Sequence, residues 1–423
     1  MRVGTVTVDI TPRASVPLMG HPGARRVSTG VHDPLMATVL HLRSGRGGII
    51  LVAIDLYWLD PLFCQALRKH IAKDTALSED NVLIACTHTH SGPVTDRIFG
   101  CIGDPAYAEP DPAYLGQVRE QVVAAAAKAA ATTTTAEIVC AEAMVRFNNG
   151  QMHELPVDIL AVRAVGGGPL LATVVVSPLY PRMVDPSATE MSADYPGKLK
   201  QVLQSGIGED CAVLCLTAPC SNLPLLPPMR DGDPFSAMDD VGGAMAAGVA
   251  EALKSPALDW VGGDPVLAGK RATTHVPRRG LPTLWDAKTR WAELRGQYAG
   301  MLSNPGDPGA METARRKTLE SNSILKYTLA EQNGKLDGML APYRTQEVQA
   351  LRIHDSYLVG VPGMLSAAYA DAIRRESPRH TCVIQPANGS FQGYVVTPAE
   401  VDTGYSVPIA SPFAPQAGDK LVP

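Results

Sequence analysis

The sequence has few aromatic residues and no long apolar run. Aromatic side chains make up 5% of its 423 residues. The longest apolar stretches, such as residues 48–56, have the length of a single strand, whereas a membrane-spanning helix needs about 20 apolar residues. The first residues enter an extended pattern without the charged, apolar and small-residue regions of a signal peptide. We therefore expect a cytoplasmic protein with no membrane span.

An excess of positive charge and closely spaced cysteine pairs are also missing. The chain has 37 Lys and Arg against 42 Asp and Glu, a net charge of −5, and lacks the basic stripe that nucleic-acid backbones require. None of the eight cysteines forms a Cys-x-x-Cys pair, and most lie in apolar runs, which is typical of reduced, buried thiols. We expect a small-molecule substrate and no nucleic acid, and a homo-oligomeric state stays open.

What the sequence does contain is the pattern of a folded α/β protein. It is 45% hydrophobic and 19% charged, and short β-branched runs alternate with longer helical stretches. The clearest helix covers residues 112–131, because Asp111 suits the N-cap and Pro112 the first helical position. Two further helices are predicted after Pro196 and at 237–253. Strands are predicted at 3–8, 37–43, 48–55, 81–86, 136–141, 157–165, 172–176, 211–216, 346–353, 356–360 and 381–384.

Residues 281–336 differ from the rest of the chain. They are charged, have a helical period and are interrupted by the Pro-Gly-Asp-Pro-Gly segment 305–309. We interpret residues 265–345 as a helical insertion or lid in an α/β catalytic domain formed by residues 1–264 and 346–423. A lid over a site and a surface elaboration both stay open, because an insertion in a loop costs little stability wherever it lands.

The strongest local signal is Thr-His-Thr-His-Ser-Gly-Pro at 87–93, directly after the predicted strand 81–86. In an extended chain His88 and His90 lie on one face, so both imidazoles can converge on a metal ion or a reacting group. Open α/β sheets place their sites in loops at the carboxyl ends of strands. The alternative is a structural pair. Other histidines, including His21, are interpreted as structural or surface residues.

Several further motifs occur in order along the chain, together with the strand-end Asp55. They are Val-Asp-Ile-Thr-Pro at 8–12, Val-His-Asp-Pro-Leu at 31–35, Ser-Ala-Asp-Tyr-Pro-Gly at 192–197, Val-Pro-Gly at 361–363 and Asn-Gly-Ser-Phe-Gln-Gly-Tyr at 388–394. With these motifs the sequence resembles the neutral, non-lysosomal ceramidase family over roughly residues 1–230 and 345–410. The resemblance implies the neutral-ceramidase-like α/β catalytic domain, lacking the family's C-terminal immunoglobulin-like domain.

The resemblance also implies which residues would hold a metal. Family members hydrolyse an amide with one zinc, bound by two histidines, a glutamate and a tyrosine. His88 matches the first ligand and Tyr394 the tyrosine, but the second histidine is replaced by Tyr180 and the glutamate by Met364. Since a thioether is a poor ligand for zinc, we expect loss of the zinc site and no cofactor. A rearranged zinc site with a new ligand such as Cys220 is the alternative.

The segment that would carry the family's serine also departs from the pattern. After the predicted strand 211–216 the sequence reads Thr-Ala-Pro-Cys-Ser-Asn-Leu-Pro, which places Leu223 at the serine position. We therefore predict Cys220, or else Ser221, as the nucleophile. A thiol becomes a useful thiolate beside an imidazole, and His88 or His90 is the expected partner. The alternative is a half-buried structural cysteine.

Residues near the altered ligand positions are candidates for binding the substrate. Tyr180 and Arg182 could bind a carboxylate or polarise a carbonyl without a metal, because arginine offers a rigid fork of donors. A salt bridge from Arg182 to Asp185 or Asp194 is the alternative. Met364 and Tyr405 complete the predicted substrate-binding set.

Taken together, these residues predict a divergent ceramidase-like enzyme of specialised metabolism. We expect it to act on an amide, ester or thioester by hydrolysis, acyl transfer or cyclisation. His88 and His90 would be the general acid and base, Cys220 the nucleophile, and Tyr394 would help to orient the substrate. A zinc-dependent N-acyl amidohydrolase with rearranged ligands and a non-catalytic binding protein are the alternatives.

Overall fold

The computed structural model of the chain describes residues 1–22, 24–45, 47–101, 108–148, 152–221, 233–304, 306–405, 407 and 409–422. Its strands are β1 (Arg2–Asp9), β2 (Gly30–Val31), β3 (Met36–Ser44), β4 (Gly47–Ile54), β5 (Val82–Cys86), β6 (Thr134–Asn148), β7 (Met152–Ala164), β8 (Leu170–Ser177), β9 (Glu190–Met191), β10 (Ala212–Thr217), β11 (Leu267–His275), β12 (Thr345–Ile353), β13 (Ser356–Gly360), β14 (Met364–Leu365), β15 (His380–Ile384) and β16 (Tyr394–Val395). Its helices are α1 (Pro61–Thr75), α2 (Pro112–Ala131), α3 (Tyr195–Ile207), α4 (Ser236–Leu253), α5 (Leu284–Ser303), α6 (Pro308–Gln332), α7 (Leu336–Leu340), α8 (Ala367–Glu376), α9 (Pro398–Asp402) and α10 (Ala417–Leu421). Within these ranges, no helix combines the length and the apolar character needed to cross a bilayer.

The longer strands form two sheets that pack face to face. The larger sheet has the order β10-β8-β7-β6-β1-β3-β4-β5, with parallel pairs at its two edges and antiparallel pairs between them. The smaller sheet has the order β11-β12-β13-β15. Apolar side chains from both sheets, including Leu42, Leu83, Leu351 and Ile384, form one buried core. This core is the centre of the molecule.

Helices cover the outer faces of both sheets. In the larger sheet, α1 and α2 pack against the end that contains β3, β4 and β5, and α3 and α4 pack against the end that contains β7, β8 and β10. Residues of α6, α7 and α8 pack with the outer face of the smaller sheet. The layers are therefore helix, sheet, sheet and helix, a solution that buries one apolar face of every element. The α/β class predicted from the sequence is confirmed.

Local signals explain where the helices begin and end. The Asp111 carboxylate accepts the N–H of Ala113 at 2.8 Å and α2 begins at Pro112, as the capping pattern predicts. The charged stretch 281–336 contains helices α5 and α6, which are separated at the Pro/Gly segment 305–309. Pro305 of this segment lies outside the described residues. The segment predicted as an insertion also contributes β11, which extends the smaller sheet.

Residues that follow β15 connect the two sheets near the carboxyl ends of β5 and β10. These strands are the two edges of the larger sheet, and the residues that follow β15 of the smaller sheet bridge to both. Gln385 donates its N–H to the carbonyl of Thr217 at 2.8 Å, and Thr217 donates its hydroxyl to the carbonyl of Thr87 at 2.9 Å. Loops from distant parts of the sequence therefore meet at this edge.

A buried ion pair holds α3 beside the same edge. Asp55, directly after β4, is fully buried. Its carboxylate accepts hydrogen bonds from Nζ of Lys200 at 2.6 and 2.7 Å and from the N–H of Met36 at 2.9 Å. Since Lys200 lies on α3, the pair connects that helix to the sheet.

Replacing Lys200 with methionine leaves the carboxylate of Asp55 buried without its cation. We expect K200M to lower the free energy of unfolding by about 3–5 kcal/mol, because an uncompensated buried charge is costly. Urea denaturation measures the change. The double variant Asp55→Asn with Lys200→Met removes the charge and should recover most of the loss. Equal stabilities of K200M and the unaltered protein would contradict this role of the pair.

Candidate active site

The loop that follows β5 carries His88 and His90 inside the protein. Its backbone is fixed by hydrogen bonds from the N–H of Thr87 to the carbonyl of Ile54 and from the N–H of His88 to the carbonyl of Leu56, both 2.9 Å long. His88 has a φ of 70°, in the left-handed region that residues other than glycine seldom adopt. Both side chains are buried. Such strain is found at functional sites more often than at packing sites.

Each imidazole is oriented by a backbone carbonyl. The Nδ1 atom of His88 lies 2.8 Å from the carbonyl oxygen of Tyr57, and that of His90 lies 2.8 Å from the carbonyl oxygen of Gly20. Because a carbonyl only accepts, each Nδ1 carries the hydrogen and each Nε2 the lone pair. Neither Nε2 has a hydrogen-bond partner in the described part of the chain.

Burial sets the protonation state of these two rings. It lowers the pKa of His88 to about 3 and the pKa of His90 well below its ordinary value. The ring centroids are 5.1 Å apart. The loop therefore presents two neighbouring neutral bases whose lone pairs are not occupied by any group of the described residues.

Gly20 and His21, near the start of the chain, also lie beside His90. A Cβ atom on Gly20 would lie 2.7 Å from the Cα, Cβ and Cγ atoms of His90, and the φ of Gly20 is +110°, so this position requires glycine. The His21 ring is 5.4 Å from the His90 ring, and its Nε2 is also buried without a partner among the described residues. Burial and three nearby arginines lower the pKa of His21 to about 2. The sequence interpretation of His21 as a structural or surface residue did not place it beside His90, because no motif marks this position.

Three tyrosines surround the imidazoles. The Tyr57 ring stacks on His88 with centroids 4.0 Å apart, and Tyr180 lies 5.6 Å from His88 and 6.2 Å from Tyr394. The hydroxyls of Tyr57 and Tyr394 are hydrogen-bonded to each other. Burial raises the pKa of all three phenols, so they are neutral hydroxyl groups. The sequence marks Tyr180 and Tyr394 as candidates, whereas Tyr57 has no motif of its own.

Arg182 is positioned by the Ser-Ala-Asp-Tyr-Pro-Gly motif. The buried carboxylate of Asp194 accepts the N–H of Met183 at 2.9 Å and the N–H of Val184 at 3.1 Å, which fixes the turn that carries Arg182. Neither Asp185 nor Asp194 forms the salt bridge with Arg182 that the sequence left open, because Asp194 is engaged by these backbone groups and Asp185 by Ser187. No other carboxylate of the described residues forms an ion pair with Arg182.

Arg182 reaches a small cavity that also contains a residue of the predicted insertion. The cavity volume is about 10 Å³, which is the space that about one water molecule needs. Arg315 of α6 forms part of its wall, so the 265–345 segment contributes directly to the site. The lining residues are Gly20, Pro22, Tyr57, His90, Arg182, Arg315, Tyr394 and Ile409.

Cys220 follows β10, but its thiol has no imidazole partner. Its Sγ atom lies 3.9 Å from Nε2 of Gln385, and the residue is fully buried. Burial raises the pKa of the thiol, and in the described ranges no hydrogen bond joins it to His88 or His90. The geometry therefore does not supply the activation that a thiolate nucleophile needs. Leu223, predicted at the former serine position, lies outside the described residues.

Met364 and Tyr405 do not line the cavity. Met364 is fully buried in β14, opposite Tyr394 in the short parallel pair β14–β16. Tyr405 donates its hydroxyl to the carbonyl of Ser221 at 2.8 Å and accepts a hydrogen bond from Nη1 of Arg316 at 3.1 Å. Tyr405 thus links the loop after β10 to helix α6.

The groups around His88 and His90 do not fit the zinc site that the resemblance implies. Protein zinc sites combine imidazole, thiolate and carboxylate ligands, with at least three from the protein. Among the described residues, no third ligand atom of a His, Cys, Asp or Glu converges with this pair within 4.8 Å. The residues at the altered positions are a neutral phenol and a thioether, and the two arginines of the cavity oppose a cation.

A separate group with the side chains of a metal site lies at the opposite end of β15. The ligand atoms of Asp158, His380 and Cys382 are within 4.8 Å of one another. Nη2 of Arg374 lies 3.6 Å from Asp158, so this carboxylate already has a cation beside it. Burial raises the pKa of the Cys382 thiol. These contacts are those of an ion-pair network at the edge of the core.

Two solved structures with a similar fold are ceramidases. Neutral ceramidase from Pseudomonas aeruginosa is similar with a TM-score of 0.72 and 17% sequence identity, over 99% of this chain and 72% of that chain. A ceramidase complexed with C2 is similar with a TM-score of 0.73 and 15% identity, over 99% of this chain and 73% of that one. No protein-family model and no curated protein matches the sequence. The resemblance read from the motifs is confirmed at the level of the fold, and the chain is a divergent representative of the neutral ceramidase fold.

Proposed function

We propose that the chain is an amidohydrolase-type enzyme that acts on the acyl or carbonyl group of a small molecule, with His88 and His90 transferring protons. The similarity to ceramidases supports a hydrolase. The observation that carries the proposal is the pair of buried Nε2 lone pairs that have no partner within the part of the chain that the structure describes. A buried polar atom without a partner costs about 1–3 kcal/mol, and this cost is explained where a substrate or water supplies the partner.

His90 is the proton acceptor in this mechanism because it lines the cavity. Its hydrogen bond to Gly20 fixes the tautomer with a lone pair on Nε2. As the oxygen of a water molecule bonds to the carbonyl carbon, its proton moves to Nε2 and the carbonyl electron pair moves to the carbonyl oxygen. The imidazolium then gives the proton to the leaving nitrogen, oxygen or sulfur as its bond to carbon breaks. In acyl transfer or cyclisation, a hydroxyl or amine replaces the water.

The charge that develops on the carbonyl oxygen needs donors that are already in place. Tyr57, Tyr394 and Arg182 line the same cavity as His90. The hydroxyl of one tyrosine donates its hydrogen to the hydroxyl of the other. The hydrogen of that other hydroxyl can then be donated to the carbonyl oxygen of the substrate. Donors held rigidly in a site without bulk water stabilise such an oxyanion strongly.

The convergence of polar groups supports an enzyme over a binding protein. A binding protein that has lost catalysis would be expected to have an apolar cleft near His88, whereas His90, Arg182 and Arg315 meet at the cavity. We assign no covalent role to Cys220, because its pKa is raised and no base contacts it.

The first test compares variants on a panel of chromogenic amides, esters and thioesters. We expect His90→Ala to lower kcat/KM by about 10²–10⁴-fold, the usual contribution of a general base. His88→Ala should abolish turnover, because it removes the second imidazole of the proton-transferring pair and the ring that packs beside His90. Cys220→Ala should retain activity, because the thiol takes no part in the reaction. His70→Ala, which removes an exposed imidazole from α1, is the control. A loss in Cys220→Ala as large as that in His90→Ala would establish a thiol mechanism instead.

The pH dependence of kcat/KM provides a second test. A general base must be neutral, and the pKa of His88 is about 3 while that of His90 is also lowered. Both imidazoles therefore stay unprotonated as the pH falls from 7 to about 5, below the usual histidine value of about 6.5. We expect kcat/KM to stay level over this interval and to fall only at lower pH. A half-maximal loss near pH 6.5 would show that an ordinary, exposed imidazole is responsible.

Treatment with a chelator tests the poor fit of the site to zinc. Since His88 and His90 lack a converging carboxylate or thiolate, we expect activity to survive dialysis against EDTA. Elemental analysis before and after dialysis serves as the control. Loss of activity together with about one zinc per chain, and recovery on adding zinc, would support the amidohydrolase with rearranged ligands.

A further inference from the structure

The cavity beside His90 is lined by two guanidinium groups from distant parts of the chain. Arg182 comes from the loop after β8, and Arg315 comes from α6. Each lowers the pKa of His21, and the charge of Arg315 adds to burial in lowering the pKa of Arg182. The like charges of the two groups therefore act on each other inside the protein.

Among the described residues, one acid, Glu312, acts on both of these guanidinium groups. Glu312, one turn earlier on α6, accepts hydrogen bonds from Nε and Nη2 of Arg315 at 2.6 and 2.9 Å. Glu312 also attracts Arg182 through space, although no carboxylate of the described residues lies close enough to Arg182 for a direct ion pair. The pair of arginines therefore carries one more positive charge than the acid beside it. Buried positive charge in excess of the acid beside it is unfavourable, unless a ligand supplies an anion.

The other groups at the cavity favour an anion as well. His90 is neutral and Tyr57 and Tyr394 are protonated phenols, so none of them repels a negative charge. Arginine presents a planar fork of donors that matches the two oxygens of a carboxylate or the oxygens of a phosphate. Tyr180 stands where the resemblance implies a zinc-binding histidine. It is two residues from Arg182, whose guanidinium binds anions rather than cations.

We propose that the substrate carries an oxyanion group, a carboxylate or a phosphate, that binds between Arg182 and Arg315 with one oxygen in the water-sized cavity, next to the carbonyl attacked from the His90 side. This inference rests on the proposed function and specifies its substrate class. It also gives the helical insertion a role, because α6 brings Arg315 to the site and is linked to it by the contact between Arg316 and Tyr405. A neutral acyl compound leaves the excess positive charge of the two arginines uncompensated and binds more weakly.

Binding of simple anions to the full chain tests this without turnover. We would measure dissociation constants of acetate and inorganic phosphate by calorimetry at constant ionic strength, with acetamide as the neutral match to acetate. Acetate, phosphate or both should bind, whereas acetamide should not. Arg315→Gln should weaken the binding by about tenfold or more, because charge-assisted hydrogen bonds are lost. Tighter binding of acetate identifies a carboxylate, and tighter binding of phosphate a phosphate.

Two variants on the insertion separate this role from a structural one. Glu312→Gln removes the acid that pairs with Arg315, so it should strengthen anion binding, an effect that general damage to the fold does not produce. Arg290→Gln, an exposed arginine on α5 that pairs with Glu293, should leave binding unchanged. Circular dichroism checks that each variant is folded.

The outcomes distinguish this inference from the proposed function. Equal affinity for acetate and acetamide together with no binding of phosphate, or unchanged anion binding in Arg315→Gln, would overturn the anion site even if His90→Ala is inactive. Anion binding with the expected changes in Arg315→Gln and Glu312→Gln supports it. Full activity of His90→Ala with intact anion binding would overturn the catalytic role and leave the anion site in place.

Discussion

The candidate site depends on the junction at which the smaller sheet meets both edges of the larger one. Gln385 bridges to Thr217 at the end of β10, and Ala387 bridges to Ala85 near the end of β5. The loops that follow these strands, with His88 and Cys220, are therefore brought to one place although about 130 residues separate them in the chain. Without this junction, the carboxyl ends of two edge strands would lie at opposite sides of an open sheet.

Burial at this junction gives the site its chemistry. Removal from water lowers the pKa of His88 and His90, which keeps them neutral, and raises the pKa of Tyr394 and Cys220, which keeps them protonated. The same cause therefore provides the bases and leaves the thiol inactive. The arginines are the exception, because a guanidinium stays charged when buried, and this makes an anion the natural ligand.

Local patterns predicted most of the elements, and the family resemblance predicted the fold. Capping signals located α2, and the strand before the Thr-His-Thr-His motif located His88 and His90 at a strand end. His21, Tyr57 and Arg315 were not predicted, because no spacing along the chain relates them and only tertiary packing brings them together. Strand β6 extends to Asn148, beyond the predicted residues 136–141, because alternating polar residues weaken the apolar signal in its second half.

The central claim is that two neutral, buried imidazoles offer Nε2 lone pairs that the described side chains and backbone leave unoccupied. Nitrogen NMR of the chain labelled with ¹⁵N-histidine measures this directly, since it distinguishes protonated from unprotonated ring nitrogens at each position. We predict that His88 and His90 show a protonated Nδ1 and an unprotonated Nε2 that persist unchanged from pH 7 to pH 5. Signals of an imidazolium in this interval, or of the opposite tautomer with the hydrogen on Nε2, would contradict the claim.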